Sequence, residues 1–330
     1  MKHVSILVPN GSHSVVNIMG TQQILQVANE RFAEQFGRKL FEIDLVGFAK
    51  SYTAVAGAAQ PIPTKLWTEV RQTDIVILPA VYDDPDDAVR RNQSLLTFLI
   101  EQYKSGATLV SMCIGTYVLA ATGLLNGKVC STHWLHASLL KEKFPGLLVR
   151  EEKLIAEQAG IITCGGAYAF PNLILYVVEK FGGRELAVFL AKTFMIDLDR
   201  TRQSPYMMFQ GHKEHADEMI LKVQEFIEIH YAEKFTVEDL ASQHHLVRRT
   251  LERRFKTATR YSINEYTQRI RIETAKKDLE IGRKSVTEIM YDCGYQDSKA
   301  FRDVFKKYAG ISPLEYRQKY AKEVGELHAA

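Results

Sequence analysis

The first two-thirds of the chain alternate between short apolar runs and longer amphipathic stretches. Short, often β-branched runs predict strands, and stretches with apolar residues three or four apart predict helices. The predicted strands are Val4–Val8, Leu40–Phe48, Ile75–Leu78, Thr108–Ser111 and Ile161–Thr163. The predicted helices are Asn17–Phe32, Asp87–Tyr103, Gly115–Thr122, Phe170–Phe181 and Arg184–Phe194. Apolar strands separated by helices indicate an α/β domain, with a mostly parallel sheet covered on both faces.

From residue 216 onward the pattern is helical, and four capping signals mark where helices begin. Thr236, Ser262, Ser285 and Ser312 each precede a carboxylate by three residues, which is the spacing of a capping box. Residues 197–215 are polar and show no clear period. The chain is therefore predicted to consist of a domain over 1–196, a linker over 197–215 and a helical domain over 216–330.

Two parts of the helical domain share one arrangement. The first is a short helix over Val237–Ala241, followed by a helix whose inner face holds Leu251 and Phe255. The second, about fifty residues later, has a short helix and an inner face of Phe301 and Phe305. The basic residues on or beside the opposite faces are Arg249, Arg253, Lys256, Lys299, Arg302 and Lys306. A short helix, a turn and a basic second helix predict a helix-turn-helix unit in each part.

The segment between these units predicts how far apart they lie. Tyr261–Ile281 is predicted to be one helix of about 21 residues, which spans ~31 Å at ~1.5 Å per residue. Successive major grooves on one face of DNA are ~34 Å apart. A rigid helix of this length can hold two recognition helices over adjacent grooves.

Charge separates the two regions of the chain. Residues 246–320 hold 18 Lys and Arg against 10 Asp and Glu, whereas the rest of the chain holds 24 against 29. A basic block on an otherwise acidic protein indicates a polyanionic partner such as double-stranded DNA, although a solvated helical face has a similar composition.

Composition excludes several classes of protein. With 330 residues, 46% hydrophobic and 25% charged, the chain is neither disordered nor a coiled coil. Its four cysteines are far apart, which argues against a disulfide scaffold or a cysteine-based metal site and fits a reducing cytoplasm. We expect no membrane span, because the uncharged stretch between Lys104 and Lys128 is interrupted by glycines and polar residues.

The most informative loop follows the predicted strand Thr108–Ser111. Cys113-Ile-Gly115 places a nucleophilic residue between strand and helix with Gly two positions later, which is the pattern of a nucleophile elbow. A helix N-terminus at this point lowers the pKa of a thiol. The alternative interpretation is a buried cysteine at the end of a strand.

Residues 3–195 resemble the ThiJ/PfpI-type, class I glutamine amidotransferase-like domain. The resemblance rests on Cys113-Ile-Gly115, Ser-Thr-His133-Trp134 and the glycine-rich segments near residues 165 and 182. It implies a flavodoxin-like fold. Hydrolytic members have His after the nucleophile, where this chain has Ile114, and many have an acid where it has Asn17. Because an activated thiol needs an oriented base, we expect no catalytic residues. We also expect no cofactor and no metal.

A small-molecule pocket at the same loops is therefore the preferred hypothesis. The resemblance nominates six lining residues, namely Asn17, Cys113, Ile114, His133, Trp134 and Tyr168. Backbone N–H groups at an elbow suit a carboxylate, and an aromatic ring suits a cationic amine. Within this family the chain most resembles the version that is fused to a DNA-binding domain in transcription regulators. Such regulators sense amino acids and quaternary amines, so the resemblance implies an effector of this kind. The alternative is that the aromatic residues belong to the core.

Residues 216–320 resemble the AraC/XylS-type transcription regulators. The resemblance rests on Leu251–Lys256, Glu265–Lys276, Gly294–Lys307 and Gly310–Arg317, which match signature segments in order. It implies seven helices, of which the third and sixth contact bases. The residues implied as base contacts are Arg249, Glu252, Arg253, Ser298, Lys299, Arg302 and Asp303, and those expected at phosphates are Lys256, Lys306 and Lys307.

Three departures from this family fall in the first unit. Val247 stands where the family has a Ser N-cap, Arg260 where it has Gly, and Ile263 where it has Pro. The second unit keeps Gly310 and Pro313. We therefore expect the first recognition helix to be less rigid than the second.

The leading hypothesis is a cytoplasmic, ligand-controlled transcription regulator that acts as a homodimer, with RNA polymerase as a further partner. One alternative is a cysteine-dependent amidase or hydrolase fused to a DNA-binding domain. The other is a redox sensor that responds through oxidation of Cys113, which requires an exposed thiol of low pKa.

Overall fold

The protein is described by a computed structural model over residues 1–48 and 61–321. Its internal contacts divide the chain into two units, Met1–Gln203 and Ser204–Ala330. The division falls within the segment 197–215, for which the sequence predicts a linker. Each unit has its own hydrophobic core.

The described part of the first unit contains a seven-stranded sheet with the order β3-β2-β1-β4-β5-β9-β8. Neighbouring strands are parallel except β8 and β9, which are antiparallel. A separate pair, β6 and β7, is parallel. The strands are β1 (Lys2–Val8), β2 (Phe41–Gly47), β3 (Lys65–Leu66), β4 (Ile75–Leu78), β5 (Thr108–Met112), β6 (Val129–Cys130), β7 (Leu148–Val149), β8 (Ile155–Gln158) and β9 (Ile161–Cys164).

Helices cover both faces of this sheet, as the sequence predicts. Along β1, Val4, Ile6 and Val8 contribute to one core and Leu7 to the other, because successive side chains of a strand point to opposite faces. The helices of this unit are α1 (Val15–Phe36), α2 (Pro85–Arg91), α3 (Gln93–Lys104), α4 (Gly115–Ala121), α5 (Ala137–Lys143), α6 (Phe170–Gly182) and α7 (Arg184–Thr193). The flavodoxin-like fold class is confirmed.

One predicted helix is wrong in this unit. Asp87–Tyr103 is interrupted at Asn92, where α2 ends and α3 begins. The side-chain oxygen of Asn92 accepts the Asn10 N–H at 2.8 Å. The side-chain nitrogen of Asn92 donates to the Asn10 carbonyl at 3.0 Å and also to the carbonyl of Ala88. This tertiary contact holds the Asn92 backbone outside the helical region and breaks the helix.

Seven helices lie in the described part of the second unit, as the resemblance implies. They are α8 (Glu218–Ile229), α9 (Val237–Gln243), α10 (Arg248–Thr259), α11 (Ile263–Ile281), α12 (Val286–Asp292), α13 (Ser298–Ala309) and α14 (Pro313–Tyr320). All four predicted capping boxes form, at the first residues of α9, α11, α12 and α14.

The helix between the two helix-turn-helix units is shorter than expected. Ser262 is the N-cap of α11, so Tyr261 lies outside the helix. The 19 residues of α11 span ~28 Å rather than ~31 Å at ~1.5 Å per residue.

Helix α10 has weaker ends than α13. Val247 is its N-cap and offers no side-chain hydrogen bond, whereas the Asp297 side chain accepts the Ala300 N–H at 2.7 Å at the start of α13. Arg260 ends α10 with a φ of 68°, a conformation that favours glycine, and Gly310 ends α13 with a φ of 77°. The expected weakness of the first unit therefore has a structural basis.

Within residues 1–48 and 61–321, no helix combines the length and apolar character needed to cross a bilayer.

We predict that Val247→Ser stabilises the second unit. Val247 is 73% exposed, and its extended backbone already suits an N-cap. A Ser oxygen there can accept an N–H of the first turn, which is worth ~1 kcal/mol in the free energy of unfolding. Thermal unfolding of the full chain, followed by calorimetry, measures the change.

The matched control is Val247→Ala, which removes the same side chain without adding an oxygen. If the serine and alanine variants have the same unfolding temperature, the missing cap is not a source of instability.

Candidate functional site

Cys113 occupies a sharp turn between β5 and α4. Its φ of 53° lies in the left-handed region, which costs a residue with a side chain ~1–2 kcal/mol. The Cys113 N–H donates to the Cys164 carbonyl at 2.7 Å, so a bond from the neighbouring strand β9 holds the turn. The backbone geometry is that of the predicted elbow.

The spacing of Cys113-Ile-Gly115 has a steric cause. A Cβ at Gly115 would lie 2.5 Å from the carbonyl oxygen of Pro79, just beyond the end of β4. Only glycine permits this approach, which brings the start of α4 against the neighbouring strand. The glycine of the motif is therefore required by packing, whatever the chemistry of the cysteine.

The Cys113 thiol is buried, with 2% of the residue exposed. Burial raises the pKa of Cys113 to about 11, although a hydrogen bond from the Ile114 N–H partly opposes this increase. At neutral pH the thiol is therefore protonated. The sequence left open a nucleophile elbow or a buried cysteine at the end of a strand. The structure has both features, because the turn has the geometry of an elbow and the cysteine in it is buried.

The predicted partners of Cys113 do not supply a base. Asn17 is 2% exposed, and its side-chain oxygen accepts the Ala80 N–H at 3.1 Å. His133 caps the short helix Trp134–His136 by accepting the Leu135 N–H at Nδ1, 3.2 Å away. Burial lowers the pKa of His133, and the neighbouring His136 lowers it further. Both side chains therefore have structural roles in this conformation.

Four of the six predicted effector residues lie in two loops that are bonded to each other. The Thr132 hydroxyl donates to the Cys113 carbonyl at 2.8 Å, which joins the elbow of Cys113 and Ile114 to the loop of His133 and Trp134. The two rings of that second loop lie 5.5 Å apart. The elbow and this loop therefore form one candidate effector site at the carboxyl end of β5.

The two remaining residues differ in exposure. Asn17 lies in the first turn of α1 and is buried, whereas Tyr168 lies in the turn Ala167–Ala169 after β9 and is 74% exposed. The Tyr168 ring is not a core aromatic. Contact of an effector with any of the six residues stays a prediction.

Gln203 is the residue at this site that sequence analysis missed. Its side-chain oxygen accepts the Trp134 N–H at 3.3 Å, and its side-chain nitrogen lies 2.9 Å from the Thr132 carbonyl. Gln203 belongs to a polar stretch with no period, and no sequence signal marks it as buried.

The second candidate surface is formed by α10 and α13. Leu251 and Phe255 are buried on α10, and Phe301 and Phe305 are buried on α13. All ten side chains predicted to contact DNA are exposed, namely Arg249, Glu252, Arg253, Lys256, Ser298, Lys299, Arg302, Asp303, Lys306 and Lys307. Each helix follows a short helix and a turn, α9 before α10 and α12 before α13, as the scheme requires.

The exposed charges of α10 are partly neutralised by one another. Arg248 pairs with Glu238 of α9 and, at 3.0 Å, with Glu252. Arg248 uses one carboxylate oxygen of Glu252, and the other oxygen can still accept a hydrogen bond from cytosine. Within the described residues, no ion pair with a carboxylate is found for Arg249, Arg253 and Lys256 of α10 or for Lys299, Arg302 and Lys306 of α13, so both helices present unpaired positive charge.

Arg254 is the basic residue of α10 that faces the protein. It donates two hydrogen bonds to Asp217, at 2.6 and 3.0 Å, and so ties α10 to the N-cap of α8.

In residues 1–48 and 61–321 no cluster of three or more His, Cys, Asp or Glu residues is arranged to hold a metal ion.

Two family models match the chain in the expected order. Residues 20–180 match the DJ-1/PfpI family, and residues 240–319 match a helix-turn-helix domain. These matches confirm the resemblances drawn from the motifs.

Two transcriptional regulators are similar to this chain over more than half of its length. The HTH-type transcriptional regulator GbdR of Pseudomonas aeruginosa is 28% identical over 226 residues, which are 68% of this chain and 61% of GbdR. The chain thus spans about three-fifths of the length of this relative. CdhR, another HTH-type transcriptional regulator of the same organism, is 24% identical over 92% of this chain and 88% of its own.

A solved structure of a Vibrio parahaemolyticus protein, thought to be a transcriptional regulator, has a TM-score of 0.52 and 25% identity. The match covers 59% of this chain and 98% of that one.

We predict that Cys113 in the folded chain resists iodoacetamide at pH 7.5. Its raised pKa keeps the thiol protonated well above neutral pH, and burial excludes the reagent. Mass spectrometry of peptides from native and urea-unfolded protein measures labelling, with the unfolded sample as the positive control. Rapid native labelling of Cys113 would instead favour an enzyme or a redox sensor.

Proposed function

We propose that this chain, which joins a DJ-1/PfpI domain to an AraC-type helix-turn-helix domain, is a DNA-binding transcription regulator controlled by a small molecule. The observation that carries the proposal is the pair α10 and α13. Each is an exposed, charged helix that is anchored by a buried apolar face and preceded by a short helix and a turn. This is the arrangement that places a recognition helix in a major groove.

The side chains on these helices fit two kinds of contact with DNA. Arg249, Arg253 and Arg302 suit the O6 and N7 atoms of guanine, while Glu252 and Asp303 suit the N4 amine of cytosine. Ser298 and Lys299, the first two residues of α13, are also assigned to bases. We assign Lys256, Lys306 and Lys307 to phosphates, which orient the protein but do not specify a sequence.

The first unit is proposed to bind the effector at the elbow of Cys113 and Ile114 and the loop of His133 and Trp134. The resemblance to regulators that sense amino acids and quaternary amines supports an effector of that chemical class. The Trp134 ring suits a cationic amine, and backbone N–H groups at the elbow suit a carboxylate. Binding controls DNA recognition only if the effector favours one conformation over another.

We further propose that the first unit has no hydrolytic activity. Both relatives named above are regulators, and in the described residues the Cys113 thiol has neither exposure nor a base that could activate it. A nucleophilic cysteine requires both. The proposed regulator acts in the cytoplasm as a homodimer and contacts RNA polymerase when it activates transcription.

The proposed function is tested with the full chain and a library of random DNA duplexes. Repeated selection should enrich a recurring sequence, and Lys299→Ala and Arg302→Ala should each weaken binding to it by about tenfold or more. The matched control is Lys222→Ala on α8, an exposed lysine outside both recognition helices. Fluorescence anisotropy of the labelled duplex measures each affinity.

Equal affinity of all three variants would overturn the assignment of α13 to a major groove. Failure of the library to enrich any sequence would overturn the function itself. Circular dichroism of each variant shows that a loss of binding is not a loss of fold.

A further inference from the structure

The side chain of Gln203 is the most densely hydrogen-bonded group beside the candidate effector site. The residue is 2% exposed. Its amide nitrogen lies 3.3 Å from Ser131 Oγ and 2.9, 3.1 and 3.0 Å from the carbonyls of Thr132, Glu151 and Lys153. Its oxygen accepts a hydrogen bond from the main-chain N–H of Trp134. A buried amide whose oxygen and nitrogen both have hydrogen-bond partners holds the surrounding loops in place.

Gly165 makes room for this side chain. A Cβ at Gly165 would overlap the nitrogen, carbon and oxygen of the Gln203 amide. The φ of Gly165 lies outside the left-handed region, so the absent side chain, rather than an unusual backbone, is what the position requires. Gly165 follows the last residue of β9, whose carbonyl holds the Cys113 N–H.

A continuous set of hydrogen bonds joins Gln203 to the elbow. The Gln203 amide donates to the Thr132 carbonyl, and the Thr132 hydroxyl donates to the Cys113 carbonyl. The Trp134 N–H donates to the same amide. Gln203 therefore bonds the loop that carries His133 and Trp134 directly, and reaches the elbow through Thr132.

The residues that follow Gln203 belong to the second unit and pack beside the end of α13. A Cβ at Gly310, the C-cap of α13, would lie 2.7 Å from the Ser204 Cβ. The Tyr320 hydroxyl donates to the Pro205 carbonyl at 3.1 Å, and the Lys319 ammonium donates to the Tyr206 hydroxyl at 3.0 Å. One peptide bond thus separates a residue bonded to the effector loops from a residue packed at the end of a recognition helix.

We propose that Gln203 is a positioning residue that couples the effector site to the DNA-binding unit. The inference rests on the proposed function and names its regulatory connection. An effector that moves the loop of His133 and Trp134 changes the bonds of Gln203, and the main chain carries that change to Ser204 at the end of α13. Coupling between two sites is reciprocal in free energy. If it passes through Gln203, we expect DNA binding in turn to alter the surroundings of Trp134.

This reciprocity allows a test that needs no effector. The chain has two tryptophans, and Trp67 lies with Phe48 in another part of the first unit. In a Trp67→Phe background, Trp134 is the sole tryptophan and reports on its own loop. The probe is the duplex enriched from the random library, and its binding is measured separately by anisotropy of a labelled copy.

Two variants remove the Gln203 contacts by different routes. Gln203→Ala deletes the amide, while Gly165→Ala leaves Gln203 in the sequence but fills its place. The matched control is Gln210→Ala, the same substitution at an exposed side chain of the same segment. All variants carry Trp67→Phe, and thermal unfolding establishes that each is folded.

We expect the duplex to change both the emission of Trp134 and its quenching by iodide. The midpoint of this change should coincide with the midpoint of DNA binding measured by anisotropy. Gln203→Ala and Gly165→Ala should still bind the duplex but lose the shift, and Gln210→Ala should keep it. A purely structural role predicts lower unfolding temperatures with the shift retained, and that outcome would overturn the coupling. So would an unaltered Trp134 signal in the parent at saturating DNA.

If neither variant folds, hydrogen exchange at the Trp134 amide of the wild-type chain decides the question. Changed protection with bound duplex supports the coupling, and unchanged protection overturns it. A chain that binds no duplex at all would instead overturn the proposed function, so the two failures are distinguishable.

Discussion

The burial of one aromatic face on each of α10 and α13 is the interaction on which the proposed DNA-binding surface depends. Phe255 of α10 meets the ring of Tyr266 edge-on at 5.3 Å, and Phe305 of α13 meets Tyr316 in the same way at 5.6 Å. Burial of each phenylalanine contributes about 1.5–3 kcal/mol. These contacts fix the rotation of each helix about its own axis, and that rotation decides which side chains remain exposed to meet a partner.

The two helix-turn-helix units repeat this packing but differ in their ends. The tyrosines occupy equivalent positions after a capping box, Ser262 to Glu265 in one unit and Ser312 to Glu315 in the other. Helix α10 has no side-chain N-cap and ends on Arg260 in a left-handed conformation. The same architecture is thus built with weaker local support around α10, which leaves more of its stability to tertiary packing.

The α/β unit keeps the backbone of a nucleophile elbow around a thiol that is not activated. The positive φ of Cys113 and the close approach of Gly115 to Pro79 are properties of the turn. Reactivity depends instead on an activating base, and the side chains at the two positions that the resemblance nominates are an amide at Asn17 and, at His133, a histidine engaged in capping its own helix. The backbone of the turn and the reactivity of its cysteine are therefore separate properties, and only the backbone matches a nucleophile elbow.

Local signals were enough to predict most of the second unit from the sequence. A capping box or an apolar face involves residues three or four apart, so the sequence of α9 to α14 alone specifies its four capped helix starts and its buried faces. The strands and helices of the α/β unit are also predicted, apart from the break between α2 and α3, the helix α5, and the strands β3, β6, β7 and β8 of two to four residues each. Long-range hydrogen bonds determine the rest. Asn92 ends a helix because it reaches Asn10, and Gln203 is buried because loops more than fifty residues away surround it. No periodicity records such partners, since they become neighbours only when the chain folds.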